Sequence, residues 1–447
     1  MNIKSDSKNS KQKIKVLFYI KNASGGGAER CILELFRNFN RNNFEYKLLL
    51  GELDGEYLSS FNADDLIQEK YTLPAPLLTL GSTKIDYFST FLKLFNYLSF
   101  NIGKKIINQL IKRWVNNLNV YLGISNSNIS NSILQRIIES KRFWRLRNSL
   151  IRYKPDIFVT SLIESGSAVA YLAKKSIHPY CRNFIWVGVE QNNTYDRFFQ
   201  YYPQADKFQF WNNFTKKIYT ETDKIVAVSE GIKQGLTENY NIDSHKIDVI
   251  YNPVDVSSIN SVVPLNYERP FILAAGRLHP QKGYDYLLRA YASIASSVNS
   301  DLIILGDGDE KNSLKSLAKE LEIEDSVYFL GFKNNFWSYL KSAECFVLSS
   351  RYEGFPLVLI EAMAAKCPVV AFDCKYGPSE LIDNMSNGIL VPFEDIPELA
   401  NGIKTILNDQ KLSSRLTENA FQKINKYNSK KTSEEYEKLF SYILFDK

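Results

Sequence analysis

The stretch "RYEGFPLVLIEAMAAKCPVVAFD", residues 351–373, decides how the second half of the chain folds. Upstream of it lies "CFVLSS" (345–350), and inside it "PVVAF" (368–372). Both are short apolar runs of the buried-strand type. Between them, Glu353 and Glu361 stand eight residues apart around Pro356 and the apolar run 357–360. The stretch therefore reads as strand, loop, helix, strand. Open α/β sheets bind ligands beyond the C-terminal ends of their strands, and "RYEGF" is such a loop. Pro356 suits the first helical position, where its missing N–H is no loss. The N–H groups of Leu357 and Val358 then point out of the helix start, which favours an anion. Glu361 follows about 7.5 Å along the helix. One carboxylate before an anion site and one after it suit a ligand with hydroxyls at both ends and phosphates in the middle, the form of a nucleotide sugar. From this segment alone, a solvated loop and a solvated helix face are the more usual reading of two such acids.

The same pattern extends outward. Strands are expected at "FILAAG" (271–276), "DLIILG" (301–306), "VYFLG" (327–331), "CFVLSS", "PVVAF" and "GILVP" (388–392), each but the last followed by a helix. The first half alternates likewise. "KIKVLFYI" (13–20) precedes a glycine loop and a helix with apolar spacing over 31–39. "EYKLLLGEL", "PDIFVTSL", "NFIWVGVE" and "DKIVAVSEGIKQGL" follow, the last with Ser229 placed to cap a helix. Short apolar strands alternating with helices imply parallel sheets covered on both faces. The expected architecture is α/β, with two facing doubly wound domains at 14–255 and 256–429. A polar tail covers 1–13 and a terminal helix 430–447, whose docking the sequence does not specify.

The chain has 447 residues, 45% hydrophobic and 23% charged, ample for more than one core. Its five cysteines form no CxxC pair and no ligand cluster with the three histidines, which reads as reduced core thiols in a cytoplasmic protein. The first thirteen residues lack an apolar core of the signal-peptide kind, and no run approaches the roughly 18 apolar residues that span a bilayer. The net charge of +6 is unevenly spread. Between Lys104 and Lys154 stand eleven Lys and Arg against Glu139 alone, whereas the remainder has 44 basic and 48 acidic residues. This basic insert, at about 85–150, interleaves Phe91, Phe95, Trp114, Phe143 and Trp144 with its charges. A solvated helical face explains that, as does contact with an anionic membrane surface. No nucleic-acid-binding module is recognisable in it.

Two further loops carry candidate residues. "GRLHPQKG" (276–283) supplies Arg277 and Lys282, cations that can neutralise charge developing on a diphosphate leaving group. "SGGGAER" (24–30) offers Gly26 and Gly27 for close approach to phosphate ahead of a helix start. It departs from the dinucleotide pattern GxGxxG because position 30 is arginine. "GDGDE" (306–310) contains an Asp307-Gly308-Asp309 triplet of the metal-binding kind, but after a strand it reads as a turn.

Together, "GRLHPQKG", the Glu-x7-Glu pair of "EGFPLVLIE" and "GPSELI" followed by "NGILVP" resemble the retaining glycosyltransferases of family four. The resemblance is strong over 247–410, weaker over 14–60 and 156–245, and lacking over 85–150. It implies the GT-B fold of two facing Rossmann-like domains. It also implies that Glu353 holds sugar hydroxyls of the donor and Glu361 the nucleotide ribose. Arg277 and Lys282 would hold the diphosphate, helped by the backbone of Gly354, Phe355, Pro356, Leu357 and Val358 and by Gly26 and Gly27. Transfer would retain the anomeric configuration by front-face attack, with no metal and no cofactor. The donor would be a UDP-linked hexose or N-acetylhexosamine, and the acceptor a glycan, polyprenyl-linked, in cell-surface polysaccharide synthesis at the inner face of the cell membrane. Where the family often carries a histidine, after "NFIWVGVE", this chain has Glu190 and Gln191, candidates for the acceptor side; glutamine cannot exchange protons near neutral pH. A nucleotide-sugar epimerase of the same fold and a non-catalytic nucleotide-sugar-binding protein are the alternatives.

Overall fold

Runs of Val, Ile, Leu and Phe build twelve described strands, all in parallel ladders. The computed structural model describes residues 13–23, 26–67, 137, 140–161, 164–177, 184–192, 194–195, 205–256, 259 and 261–445. In the first sheet, β1 (Ile14–Ile20), β2 (Phe44–Leu50), β3 (Ile157–Ser161), β4 (Ile185–Glu190), β5 (Lys224–Ala227) and β6 (Ile247–Val249) lie in the order β2-β1-β3-β4-β5-β6. The second sheet contains β7 (Phe271–Ala275), β8 (Asp301–Leu305), β9 (Val327–Gly331), β10 (Cys345–Leu348), β11 (Val369–Asp373) and β12 (Ile389–Pro392). Their order is β12-β11-β10-β7-β8-β9, so the winding reverses between β7 and β10. At such a reversal the loops leave in opposite directions and open a crevice.

Side-chain alternation places the core. Along β7, Phe271 and Leu273 join an apolar cluster that runs through to the first sheet, whereas Ile272 and Ala274 join a second cluster on the opposite face. Period-two alternation with both faces covered is why these strands read as continuous apolar runs. The helices needed below are α1 (Gly27–Asn38), α2 (Lys141–Tyr153), α3 (Glu230–Tyr240), α4 (Leu357–Ala364), α5 (Pro378–Leu381), α6 (Ile396–Asn408) and α7 (Ser429–Phe445). Contrary to expectation, β12 is also followed by a helix, α6, capped by Asp395 through its bond from the Glu398 N–H. Pro397 in its first turn obscured the start.

The terminal helix docks on the first domain. Phe440 of α7 is fully buried, with its ring 6.3 Å from Phe18 and 6.2 Å from Phe44. Glu437 accepts from the Asn40 N–H at 2.6 Å and the Tyr46 hydroxyl at 3.2 Å. Most of the basic insert, 85–136 and 138–139, lies outside the described residues, and with it Phe91, Phe95 and Trp114. Its C-terminal part is α2, where Phe143 and Trp144 are 0% and 4% exposed. They fill the core and are unavailable to a membrane. Arg145 and Arg147 of the same helix are buried too, so this part of the charge run is not a solvated face. No described helix is long and apolar enough to cross a membrane. Cys31, Cys345, Cys367 and Cys374 are free and buried, which pushes each thiol up in pKa; Cys181 lies outside the described residues.

Phe440→Ala should cost about 3–5 kcal/mol, the range for a buried aromatic truncated in a packed core. Urea unfolding monitored by tryptophan fluorescence measures it, and a loss below about 1 kcal/mol would show that α7 is not part of the first domain's core.

Candidate functional site

The loops after β7 and β10 are laced together. Arg351 N–H donates to the Gln281 carbonyl at 2.7 Å, and Gln281 Nε2 to the Tyr352 carbonyl at 3.0 Å. Arg351 also grips Asp285 with both nitrogens, at 2.9 and 2.7 Å, a planar two-bond pairing of guanidinium and carboxylate. This frame brings Lys282 Nζ to 2.7 Å from Glu353 Oε1, where Ser350 Oγ also donates at 2.7 Å. Glu353 is 5% exposed, so it needs both donors. Arg277 lies exposed on the loop that carries Lys282. It helps to hold down the carboxyl of Glu29, which burial pushes up. The structure thus brings Lys282 and Glu353 together, while the influence of Arg277 falls on Glu29 at the start of α1.

Pro356 is the N-cap of α4, with φ −74° and ψ 91°, and not its first helical residue. The correction is small, since Pro donates nothing at either place, and Leu357 N–H still opens the helix. Phe355 turns its ring away into an aromatic cluster with Tyr251 and Tyr427, at 5.1 and 5.2 Å, leaving only its backbone for a ligand.

The first domain meets this helix start closely. A Cβ on Gly354 would stand 2.0 Å from the Gln191 carbonyl oxygen, and one on Gly27 would stand 3.1 Å from Leu357 Cδ1. Only a missing side chain allows the first approach. The N-termini of α1 and α4, from opposite domains, therefore face each other. Gly26 precedes α1 as its N-cap. One turn on, Arg30 Nη2 lies 2.8 Å from Glu361 Oε1. Beside them, Ser229 Oγ accepts from the Ile232 N–H at 3.2 Å and donates to the Gly354 carbonyl at 2.8 Å. Glu380 of α5 accepts from the N–H groups of Glu230 and Gly231, at 3.0 and 2.8 Å. The start of α3 is thus tied to the second domain at two points.

On the acceptor side the outcome is divided. Gln191 sits at the domain boundary, its Oε1 accepting from Asn252 Nδ2 at 2.8 Å. Glu190 does not face the cleft. It is 1% exposed, and its two oxygens accept from the hydroxyls of Thr194 and Tyr219. Both its oxygens are thus engaged by hydroxyls of its own domain. Asp307 and Asp309 belong to a turn: Asp307 accepts from the Gly308 N–H at 2.9 Å and pairs with Lys311 at 3.2 Å. Among the described residues no three His, Cys, Asp or Glu cluster as metal ligands. His245 is exposed, and His178 lies outside the described residues. Sequence reasoning missed Arg30, Ser350 and Glu380. Glu380 was visible within "GPSELI", but a bond to a helix start about 150 residues away leaves no local signal.

Comparison with known proteins follows the same outline. Residues 256–423 match the family model "Glycosyl transferases group 1", and residues 116–258 match "Glycosyltransferase Family 4". A curated relative from Campylobacter jejuni, "N-acetylgalactosamine-N,N'-diacetylbacillosaminyl-diphospho-undecaprenol 4-alpha-N-acetylgalactosaminyltransferase", is 37% identical over 44% of this chain and 53% of its own length. An uncharacterized glycosyltransferase of Haemophilus influenzae is 34% identical over 48% of this chain and 61% of its own length. The chain thus spans less than two thirds of either relative. Among solved structures, the sucrose-phosphate synthase of Thermosynechococcus elongatus has a TM-score of 0.70 at 17% identity, covering 97% of this chain and 100% of its own. Anabaena Alr3699/HepE in complex with UDP has a TM-score of 0.62 at 16% identity, covering 96% and 100%. These likenesses are of fold, the two-domain GT-B arrangement. The chain belongs to the glycosyltransferases of the family 4 type.

Gly354→Ala should force the domains apart at the Gln191 contact. Small-angle scattering would then give a larger radius of gyration, with the far-ultraviolet circular dichroism of both domains preserved. An unchanged radius would mean that the close approach is not needed for the closed arrangement.

Proposed function

We propose that this glycosyltransferase moves a hexosyl or N-acetylhexosaminyl group from a UDP-sugar to a lipid-linked glycan acceptor, with retention of configuration. The observation that carries the reading is the start of α4, flanked by two buried carboxylates, each held by a cation, at the crevice where the sheet winding reverses. Two helix N-termini and the side chains of Arg277 and Lys282 supply positive charge where a diphosphate would lie. Glu353 would accept hydrogen bonds from the donor sugar and Glu361 from the ribose. The relative from Campylobacter jejuni, whose name specifies an undecaprenyl-diphosphate-linked acceptor, supports the acceptor class. An anionic membrane contact would fall on the insert, mostly outside the described residues.

In the reaction the bond from the sugar's anomeric carbon to the diphosphate oxygen breaks. The acceptor oxygen bonds to the same face of that carbon. Its proton passes to the departing phosphate oxygen, leaving a nucleoside diphosphate. Charge grows on the leaving group as the bond breaks, so Lys282 and Arg277 stabilise the transition state more than the ground state. Lys282 also orients Glu353, which serves as a hydrogen-bond acceptor and not as a nucleophile. With two cations on the diphosphate, a divalent metal has no task left at the leaving group.

Glu353→Gln and Lys282→Ala should each lower kcat/KM for transfer by at least about tenfold, roughly 1.4 kcal/mol of transition-state stabilisation, with the fold intact. Near-normal kcat/KM in both variants would sink the assignment. EDTA should leave transfer unchanged, and loss of activity that Mg²⁺ or Mn²⁺ restores would contradict a metal-free leaving-group site. Donor incubated alone should yield no epimer by mass spectrometry coupled to chromatography.

A further inference from the structure

Arg30 stands on the first domain, one turn into α1, where its backbone N–H donates to the Gly26 carbonyl at 3.3 Å. Its guanidinium reaches across to the second domain and meets Glu361 Oε1 at 2.8 Å. The Glu361 side chain is 3% exposed and that of Arg30 32%, so the pair is sheltered on the acid's side. The other oxygen of Glu361, Oε2, is buried with no hydrogen-bond partner. A buried acceptor left open in this way costs free energy, on the order of 1–3 kcal/mol, that a ligand hydroxyl would offset.

Two influences compete at this carboxyl. Burial pushes its pKa up, and Arg30 pulls it down. The other titratable groups facing it are Tyr57 and Cys31, both raised by burial and so neutral. The Arg30 charge acts on Tyr57 as well, opposing the upward push of burial on its hydroxyl. Arg30 is therefore the charge that favours the anionic form of Glu361 against burial. A carboxylate can accept from two ribose hydroxyls at once, whereas a protonated carboxyl has one oxygen committed as a donor.

We infer that Arg30 is a positioning residue for the donor's ribose: it pairs with Glu361 through Oε1 and leaves Oε2 for a ribose hydroxyl, only while the two domains are together. The inference rests on the ribose reading of Glu361 given above. With the domains together Oε2 is out of water's reach, so the ribose must be seated before Arg30 comes down on Oε1. Gly27 gives that descent room, since a Cβ there would crowd Leu357 Cδ1 at 3.1 Å. Nucleotide binding and domain closure then share one ion pair, and the glycine loop serves to deliver Arg30.

The test is calorimetric binding of UDP, GDP and ADP, each also as its 2′,3′-dideoxy form, at about pH 5.5 and pH 8.5. The diol is common to all three nucleotides, so the base does not enter. Wild type should bind the diol form more tightly than the dideoxy form at both pH values. Arg30→Met leaves Glu361 with the upward push of burial alone. It should bind the diol form about tenfold more weakly at the lower pH, recover toward wild type at the higher, and lose discrimination only when acidic. Arg30→Lys should restore part of the acid-side loss, and serves in place of Arg30→Met if that variant does not fold. Glu361→Gln should lose discrimination at both pH values. If Glu361→Gln keeps full discrimination, or no nucleotide binds wild type, the ribose reading fails and takes this inference with it. If Glu361→Gln loses discrimination while Arg30→Met matches wild type, or weakens equally at both pH values, the ribose reading stands and the inference about Arg30 is overturned.

Discussion

Taking a carboxylate out of water without a cation or donors costs several kcal/mol, and this chain does so twice within nine residues, at Glu353 and Glu361. The compensation comes from different places. Lys282 and Ser350, inside the second domain, hold Glu353. Arg30, from the first domain, holds Glu361. One acid is therefore satisfied by its own sheet's loops, and the other only when the two domains meet. Much of the remaining architecture serves that meeting.

Around it the contacts are polar and directional. The start of α3 is capped within its own domain by Ser229, whose hydroxyl is shared with the Gly354 carbonyl, while Glu380 caps the same start from outside. Bonds to helix N–H groups exchange readily for water, so such an interface can open without exposing a large apolar surface. Apolar packing is added where opening must be limited, in the aromatic contacts of Tyr251 with Phe355 and Tyr427 and in the docking of α7 on the first domain. The chain crosses between domains twice there, at the linker after β6 and again before α7, and the Val254 N–H bonds the Tyr427 carbonyl between the two crossings.

The comparison of Glu190 and Glu361 shows how a local reading can mislead. Both are acids at a strand end or on a helix facing a proposed cleft, and both are nearly fully buried. Glu190 has its two oxygens taken by Thr194 and Tyr219 of its own domain, which makes it part of the core. Glu361 keeps one oxygen open. Sequence places a carboxylate on a loop or helix. It does not say which way the second oxygen faces.

The strands, their parallel pairing and the two-domain division follow from the sequence alone, because fully buried parallel strands demand unbroken runs such as "DLIIL" and "CFVL". The placement of Lys282, Glu353 and the helix start at Leu357 was legible for the same reason: each sits a fixed, short distance past a strand that announces itself. The docking of the terminal helix, the burial of Phe143 and Trp144 in α2, and the use of Arg30 and Glu380 were decided by tertiary structure. The terminal helix, Arg30 and Glu380 each depend on a partner more than a hundred residues away, across crossovers that the local pattern does not encode. Helical periodicity shows that α2 has an apolar face; what covers that face is settled only when the sheets and helices assemble.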